Sequence, residues 1–278
     1  GKDIEINGLN LCNRDSEHDK VLSYVTSENY IGIVKNNKAV VAVVVSQNCL
    51  EIYKKEEIEL TYIVCQDAEK TFYDIHDFLY EKTDFYDKFC FPTTIGADCN
   101  IAPTAIIEEG VKIGNRVVIG HNSVIKHGTV IGDDCVIGCN STIGSEGFQI
   151  LRIQNVNRKV VHCGRVVLGD KVYIGDNTDV CNSLFEGSTK VGTNAKVDNL
   201  VHIAHNVVVG DNAVITAGTI LCGSSIVENN AWIGVNSSVL NRVRVGDDSK
   251  IGIGSVVTRD IPENALAYGV PAKVKRQL

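Results

Sequence analysis

Two histidines three residues apart, His202 and His205, stand in the segment DNLVHIAHN, residues 198–206. Imidazole fills space poorly and titrates near neutrality, so the pair poses three readings: metal ligands, acid–base groups, or solvated side chains. A metal site needs at least a third ligand. His202 and His205 fall on positions that face opposite ways, and His121, His127 and His162 offer no convincing third donor by spacing. With no C-x-x-C in the sequence, no metal is expected.

The elements that must position these residues show themselves as a period of six. An aliphatic residue recurs at Ile95, Ile101, Ile107, Ile113, Ile119, Ile125, Ile131, Ile137 and Ile143. The period breaks, resumes over Leu168, Ile174 and Val180, slips once more, and then runs unbroken from Val191 to Val257. Six is neither a helical nor an alternating-strand period. It fits a parallel β-helix in which each hexad makes one short strand and one turn, and three hexads complete a triangular coil. The aliphatic residue points into the prism, and Gly or another small residue, as in IGADCN, IGNRVV and IGHNSV, permits the corner. Cys99 and Cys135 share the fifth hexad position, where a small side chain is wanted.

This frame sets His205 beside a specific partner. Ile203 points inward, so His205 is the third residue of its hexad and faces outward; one coil later the same site holds Gly223. The two are expected to stack about one strand spacing apart, roughly 4.8 Å. A base beside an exposed backbone N–H suits acyl transfer: the base removes a proton from an amine or hydroxyl, and the N–H holds the oxyanion of the tetrahedral intermediate. A solvated surface histidine remains the alternative.

The non-periodic parts divide the chain. Residues 1–92 read as a small α/β domain. IGIVKNNKAVVAVVVS suggests strands around a turn at Asn36 and Asn37, and DAEKTFYDIHDFLYEK suggests a helix capped by Asp67, with Ala68, Phe72, Ile75 and Leu79 on one face. Residues 93–260 form the β-helix, with a loop inserted at a corner over 148–165, and 261–278 form a tail. The insertion is either a functional loop or a decorative one.

At this point the sequence resembles a known family. The periodic region, the GSEGF before the insertion and DNLVHIAHNVVVGDNAVITAG are similar to the UDP-3-O-acylglucosamine N-acyltransferases of lipid A biosynthesis, among the hexapeptide-repeat acyltransferases. The resemblance implies a left-handed β-helix, a homotrimer, a general base at His205 and an oxyanion donor at the Gly223 N–H. Comparison with the related O-acyltransferases, which carry HIAH here, implies substrate contact at His202. Asn199 is a candidate sugar contact. In YVTSENY, Tyr24 and Tyr30 keep the six-residue spacing of the aromatics that hold the uracil ring in the family, although Ser27, Glu28 and Asn29 depart from its pattern. Stacking tolerates any base. Two half-buried tyrosines near a strand end are the plainer reading.

Two departures shift the expectation away from the lipid A enzyme. Cys181, Asn182 and Ser183 stand where the family carries D-R-G, and the chain ends in DIPENALAYGVPAKVKRQL. That tail resembles the acyl-CoA-dependent sugar acetyltransferases, so Lys273, Lys275 and Arg276 are candidate contacts for coenzyme A phosphates, or else a solvated basic tail.

Composition bounds the rest. The chain of 278 residues is 44% hydrophobic with a net charge of −7, which argues against a nucleic-acid binder. Its longest apolar run, AVVAVVV, reads as a buried strand and not as a membrane span. No export signal is read, so a cytoplasmic location and reduced cysteines are expected. The leading reading is an N-acyltransferase that moves an acyl group from acyl-CoA, a co-substrate and not a resident cofactor, to the amine of a UDP- or dTDP-linked sugar. Second is the lipid A enzyme with a 3-hydroxyacyl carrier protein as donor. An O-acyltransferase and a non-catalytic β-helix that binds nucleotide sugars complete the set.

Overall fold

The computed structural model describes residues 3–14, 16–56, 58–153 and 155–278. Two compact units emerge. One comprises residues 1–87, 149–163 and 185–187; the other comprises 88–148, 164–184 and 188–278.

The first unit is built on a parallel sheet in the order β1 (Gly8–Leu9), β2 (Val21–Val25), β3 (Val40–Ser46) and β4 (Thr61–Cys65). Strand β3, VVAVVVS, is central and nearly all buried, as suits a β-branched run in a parallel sheet. Three helices accompany the sheet: α1 (Ile31–Asn36), α2 (Gln47–Lys55) and α3 (Ala68–Lys82). The segment before Asn37, expected as a strand, is thus helical. Asn37 ends that helix by hydrogen bonding outward: its Nδ2 donates to Cys12 O and Arg14 O at 2.9 and 3.1 Å, and its Oδ1 accepts from Ala39 N at 3.1 Å. Helix α3 begins as its sequence suggests, with Asp67 accepting from Lys70 N at 3.0 Å. Its buried stripe is Ala68, Phe72, Tyr73 and His76, while Ile75 and Leu79 are only half-buried. The face is rotated because Phe72, Tyr73 and His76 all pack on Phe185, with ring centroids 5.5, 5.8 and 4.9 Å away.

Both interruptions of the six-residue period therefore belong to this unit. The insertion forms an antiparallel hairpin, Ile150–Ile153 with Val156–Lys159. Arg158 on it donates to Asp74 and Asp77 at 2.6 Å each and to Tyr73 O at 2.9 Å. The second slip supplies Phe185 and Glu186. Glu186 is largely buried, accepts from Ser16 Oγ at 2.9 Å and lies 3.3 Å from the half-exposed His18.

The second unit is the β-helix. Two-residue strands stack in parallel into three faces of eight, eight and ten strands, the last including the C-terminal strands. Successive coils pair in register eighteen residues apart, as Val124 with Thr142 and Val208 with Ile226. The first hexad residue fills the prism: Ile119, Ile125, Ile137, Ile143, Ile203 and Leu221 are at most 1% exposed. The fifth is also inward and small, and Cys135 there is fully buried with its Sγ 3.0 Å from Gly169 O.

The corners differ from expectation in one respect. The residue with left-handed backbone is the fourth of the hexad, most often Asn or Asp, as at Asn122, Asp134, Asn140 and Asn206. The glycine in second position has another task. A Cβ on Gly120 would lie 2.7 Å from the backbone of Gly138 one coil on, so this glycine permits close stacking of coils.

Burial pushes the Glu186 carboxyl from 4.5 up to about 7. The folded chain therefore keeps a proton that the unfolded chain releases, and stability falls as pH rises from 4.5 to about 7, by about 3 kcal/mol at most. Thermal unfolding of the first unit should lose stability across that window, and Glu186→Gln should flatten the profile; an unchanged profile in the variant would show that another group is responsible.

Candidate active site

A triangular prism has three edges, and one device recurs on two of them. After the face that holds Ile113, Ile131, Val191 and Val209, the third hexad residue of several coils is capped by an Asp or Asn side chain of the next. Asp133 Oδ1 accepts from Asn115 N at 2.8 Å, Asp170 Oδ1 from Asp133 N at 2.8 Å, Asp211 Oδ1 from Thr193 N at 2.7 Å, and Asn229 Oδ1 from Asp211 N at 2.8 Å. The second edge repeats it with Asp176 Oδ1 on Cys139 N and Asn199 Oδ1 on Asp176 N, both 2.7 Å. The Asn199 carbonyl is thus spent on a turn.

The third edge lacks this ladder around His205. Its equivalent positions hold His205 and Gly223 in successive coils, and no acceptor meets the Gly223 N–H among the described residues. The stacking read from the spacing is present: Ser224 N donates to His205 O at 2.9 Å. A Cβ on Gly223 would fall 2.6 Å from His205 Cε1 and Nε2, so the imidazole lies directly over a bare backbone. His205 leaves the prism as expected, yet it is only 8% exposed and so is held in place rather than solvated.

The neighbour that orients it is Asn206. Asn206 Oδ1 accepts from Leu184 N at 3.0 Å, which fixes that atom as oxygen. The same oxygen lies 3.0 Å from His205 Nδ1. Nδ1 must therefore carry the hydrogen, which places the basic lone pair on Nε2, the side facing Gly223. Asn206 Nα in turn donates to Thr189 Oγ1 at 2.8 Å, so the left-handed corner that presents Oδ1 is fixed from below.

His202 sits on the strand leading to this edge and pairs in the ladder with Asp179. Its Nδ1 is 3.1 Å from Asp179 Oδ2. Burial disfavours the charge on Asp179, but hydrogen bonds from His202, Ser145 and Cys181 outweigh it and keep the carboxyl below its usual range. Cys181 donates to Asp179 Oδ2 at 3.4 Å, and burial pushes its thiol up to about 12. Asp179 and Cys181 could not be found by counting eighteens, because the slip after Val180 displaces their coil relative to His202.

The remaining candidates are not gathered at this edge. Asn199 lies on a different edge, and Lys273 and Arg276 lie on the exposed strand Lys273–Gln277 at the end of the ten-stranded face, opposite the edge of His205. Lys275 Nζ rests 4.9 Å from the Tyr268 ring centroid. In the first unit, Tyr24 is half-buried, packs on Phe72 at 5.0 Å and Tyr73 at 5.9 Å, and donates to Glu69 at 2.9 Å. Tyr30 ends a short 3-10 turn, Glu28–Tyr30, and is also half-buried. The groove beside Val34, Lys35, Lys38 and Leu60 includes neither tyrosine. Among the described residues, no helix is long and apolar enough to cross a membrane.

Comparisons with known proteins bear on the repeat and the fold. The family model described as bacterial transferase hexapeptide (six repeats) matches residues 92–127, 110–145 and 188–223. The hexapeptide repeat of succinyl-transferase matches residues 225–259. Among similar proteins is a UDP-3-O-acylglucosamine N-acyltransferase of Methylorubrum extorquens, 39% identical over 134 residues, covering 48% of this chain and 38% of that one. Proteins of the same name from a Caulobacter species and from Campylobacter lari are 40% identical over 116 residues and 36% identical over 128. These matches cover 41% and 46% of this chain and 34% and 40% of the relatives. The chain thus spans about two fifths of the length of the curated relatives it matches. Among solved structures, the UDP-N-acetylglucosamine acyltransferase from Campylobacter jejuni superposes with a TM-score of 0.59 at 24% identity, over 66% of this chain and 70% of that one, which shows a shared fold. The second unit is a left-handed parallel β-helix whose repeats match the bacterial transferase hexapeptide model, and in that helix the chain is similar to UDP-3-O-acylglucosamine N-acyltransferases.

Proposed function

We propose that the protein is an N-acyltransferase that moves an acyl group from a thioester to the amine of a UDP-linked amino sugar. The observation that carries the proposal is the pairing of His205 with the N–H of Gly223, which no acceptor meets among the described residues and over which the imidazole lies. Nε2 of His205 removes a proton as the sugar amine attacks the thioester carbonyl. The carbonyl oxygen becomes an oxyanion and accepts from Gly223 N–H. Collapse of the intermediate expels the thiolate, which takes the proton from the imidazolium. Asn206 holds the imidazole in the required tautomer and stabilises its charged form without being protonated itself.

The acceptor is closer to UDP-3-O-acylglucosamine than the sequence alone suggests, since the relatives that match the β-helix carry that name. We read the donor accordingly as a 3-hydroxyacyl carrier protein. The second reading, acyl-CoA, rests on the G-V-P-A-K tail, and for Lys273 and Arg276 to serve it at His205 they must come from a neighbouring chain, because within one chain they lie on the opposite face. That requirement fits a homotrimer with sites between subunits. His202 contacts the sugar in this proposal, Asn199 does so from an adjoining subunit, and Tyr24 and Tyr30 are our candidates for the nucleotide base.

The direct test is release of free thiol with UDP-linked amino sugars, including UDP-3-O-acylglucosamine, against acyl carrier protein and acyl-CoA donors in parallel. Turnover with the carrier alone supports the leading donor, turnover with acyl-CoA establishes the second, and silence with every pair removes the acyltransferase reading. His205→Ala should lower turnover by about 10² or more while the β-sheet circular dichroism is kept. Gly223→Ala should be nearly as damaging, because its methyl occupies the place of the imidazole; normal turnover in this folded variant would remove the stacked pair from the mechanism.

A further inference from the structure

Beside the proposed base, the structure gathers three side chains of different donor type. Asp179 and Cys181 are two apart on one short strand and therefore share a face, and His202 stands directly opposite Asp179 in the next coil. A carboxylate oxygen, a thiol sulfur and an imidazole nitrogen come within 4.8 Å of one another. Two of the separations are shorter, 3.1 Å from His202 Nδ1 to Asp179 Oδ2 and 3.4 Å from Cys181 Sγ to the same oxygen. In a tetrahedral zinc site with bonds of about 2.0 to 2.3 Å, ligand atoms lie roughly 3.3 to 3.8 Å apart. The cluster is thus close to that geometry before any ion enters.

Its support is equally built in. The ladder shifts register between Ile143 and Ser145, which brings Ser145 opposite Cys181. The Ser145 hydroxyl then lies 3.5 Å from the Cys181 sulfur, the kind of hydrogen bond that steadies a thiolate ligand. Cys181 is only 4% exposed, whereas the side chains of Asp179 and His202 are 37% and 45% exposed. The sulfur therefore forms a buried floor and the other two ligands an open rim, through which an ion enters and a fourth ligand, water or a substrate atom, can bind. One ligand each of sulfur, nitrogen and oxygen suits a borderline-soft divalent ion and not magnesium or calcium, which take oxygen.

We propose that Asp179, Cys181 and His202 form a mononuclear site for a zinc-class divalent cation, with three protein ligands and one open position. The ion binds the Asp179 carboxylate, His202 Nδ1 and the Cys181 thiolate, and the thiol proton leaves to solvent. The site does not depend on the acyl-transfer reading. It draws on His202, so an ion bound there withdraws that imidazole from contact with a sugar.

Cobalt is the probe, because a cysteine ligand gives it a sulfur-to-metal charge-transfer absorption that is read without any assay of turnover. Metal-free protein titrated with Co²⁺ should take up one ion per chain with that band, and Zn²⁺ should displace it. Cys181→Ser should abolish the band, and Asp179→Asn, which keeps the cysteine, should weaken cobalt and zinc binding at least tenfold. Absence of the band in the unaltered protein overturns the proposal. So does an undiminished band in folded Cys181→Ser, which would place the ion at another cysteine, or unchanged affinity in Asp179→Asn. Thiol release measured on the same metal-free protein reports the transferase reading separately.

Discussion

Everything in the larger unit depends on stacking one coil of backbone directly on the next. The N–H groups of each short strand donate to carbonyls of the following coil, as Gly114 N to Ile131 O and Ala204 N to Leu221 O. This parallel ladder forces residues eighteen apart into columns, and a column has a fixed chemistry. Inward columns are aliphatic or small and buried, as Ile203 and Ala213 are. Outward corners carry an N–H that the ladder leaves over, and Asp or Asn from the next coil accepts it at Asn115, Asp133, Cys139, Asp176, Thr193 and Asp211. On the third edge the column holds His205 and then Gly223, whose N–H meets no acceptor among the described residues and lies beneath the imidazole.

The second consequence of stacking is rigidity where the chemistry is. His205 has little freedom: Gly223 lies against its ring, Asn206 holds Nδ1, and Leu184 N and Thr189 Oγ1 fix Asn206. An asparagine here performs what an aspartate performs in many histidine bases, with one difference. A neutral carbonyl orients the ring and selects the tautomer but contributes less to stabilising the imidazolium than a carboxylate would. The carboxylate of this neighbourhood, Asp179, is directed instead at His202 and Cys181.

The smaller unit shows the same principle through its interruptions. A β-helix tolerates extra residues only at corners, and both departures from the six-residue period carry residues that complete another core. Phe185 fills the aromatic cluster of Phe72, Tyr73 and His76, and Arg158 is gripped by two carboxylates of α3. Residues that look irregular in the frame of the repeat are regular in the frame of the unit they join.

The repeat, the inward columns, the small fifth position and the stacking of His205 over Gly223 were legible in the amino-acid sequence, because a fixed period makes neighbours in space computable from neighbours in the chain. The cap of α3 was legible for a similar reason, since Asp67 acts on a residue three positions away. What the sequence could not give depends on contacts that no period predicts. The segment before Asn37 is a helix that ends where Asn37 bonds two distant carbonyls, and Phe185 rotated the buried face of α3. Leu184 identified which atom of Asn206 faces the histidine. Asn199 was near His205 in the chain but went to another edge, because one hexad moves the chain by one side of the triangle. The slip after Val180 hid the meeting of Asp179, Cys181 and His202 for the opposite reason: with the count of eighteen broken, only the folded coils bring those three donors together.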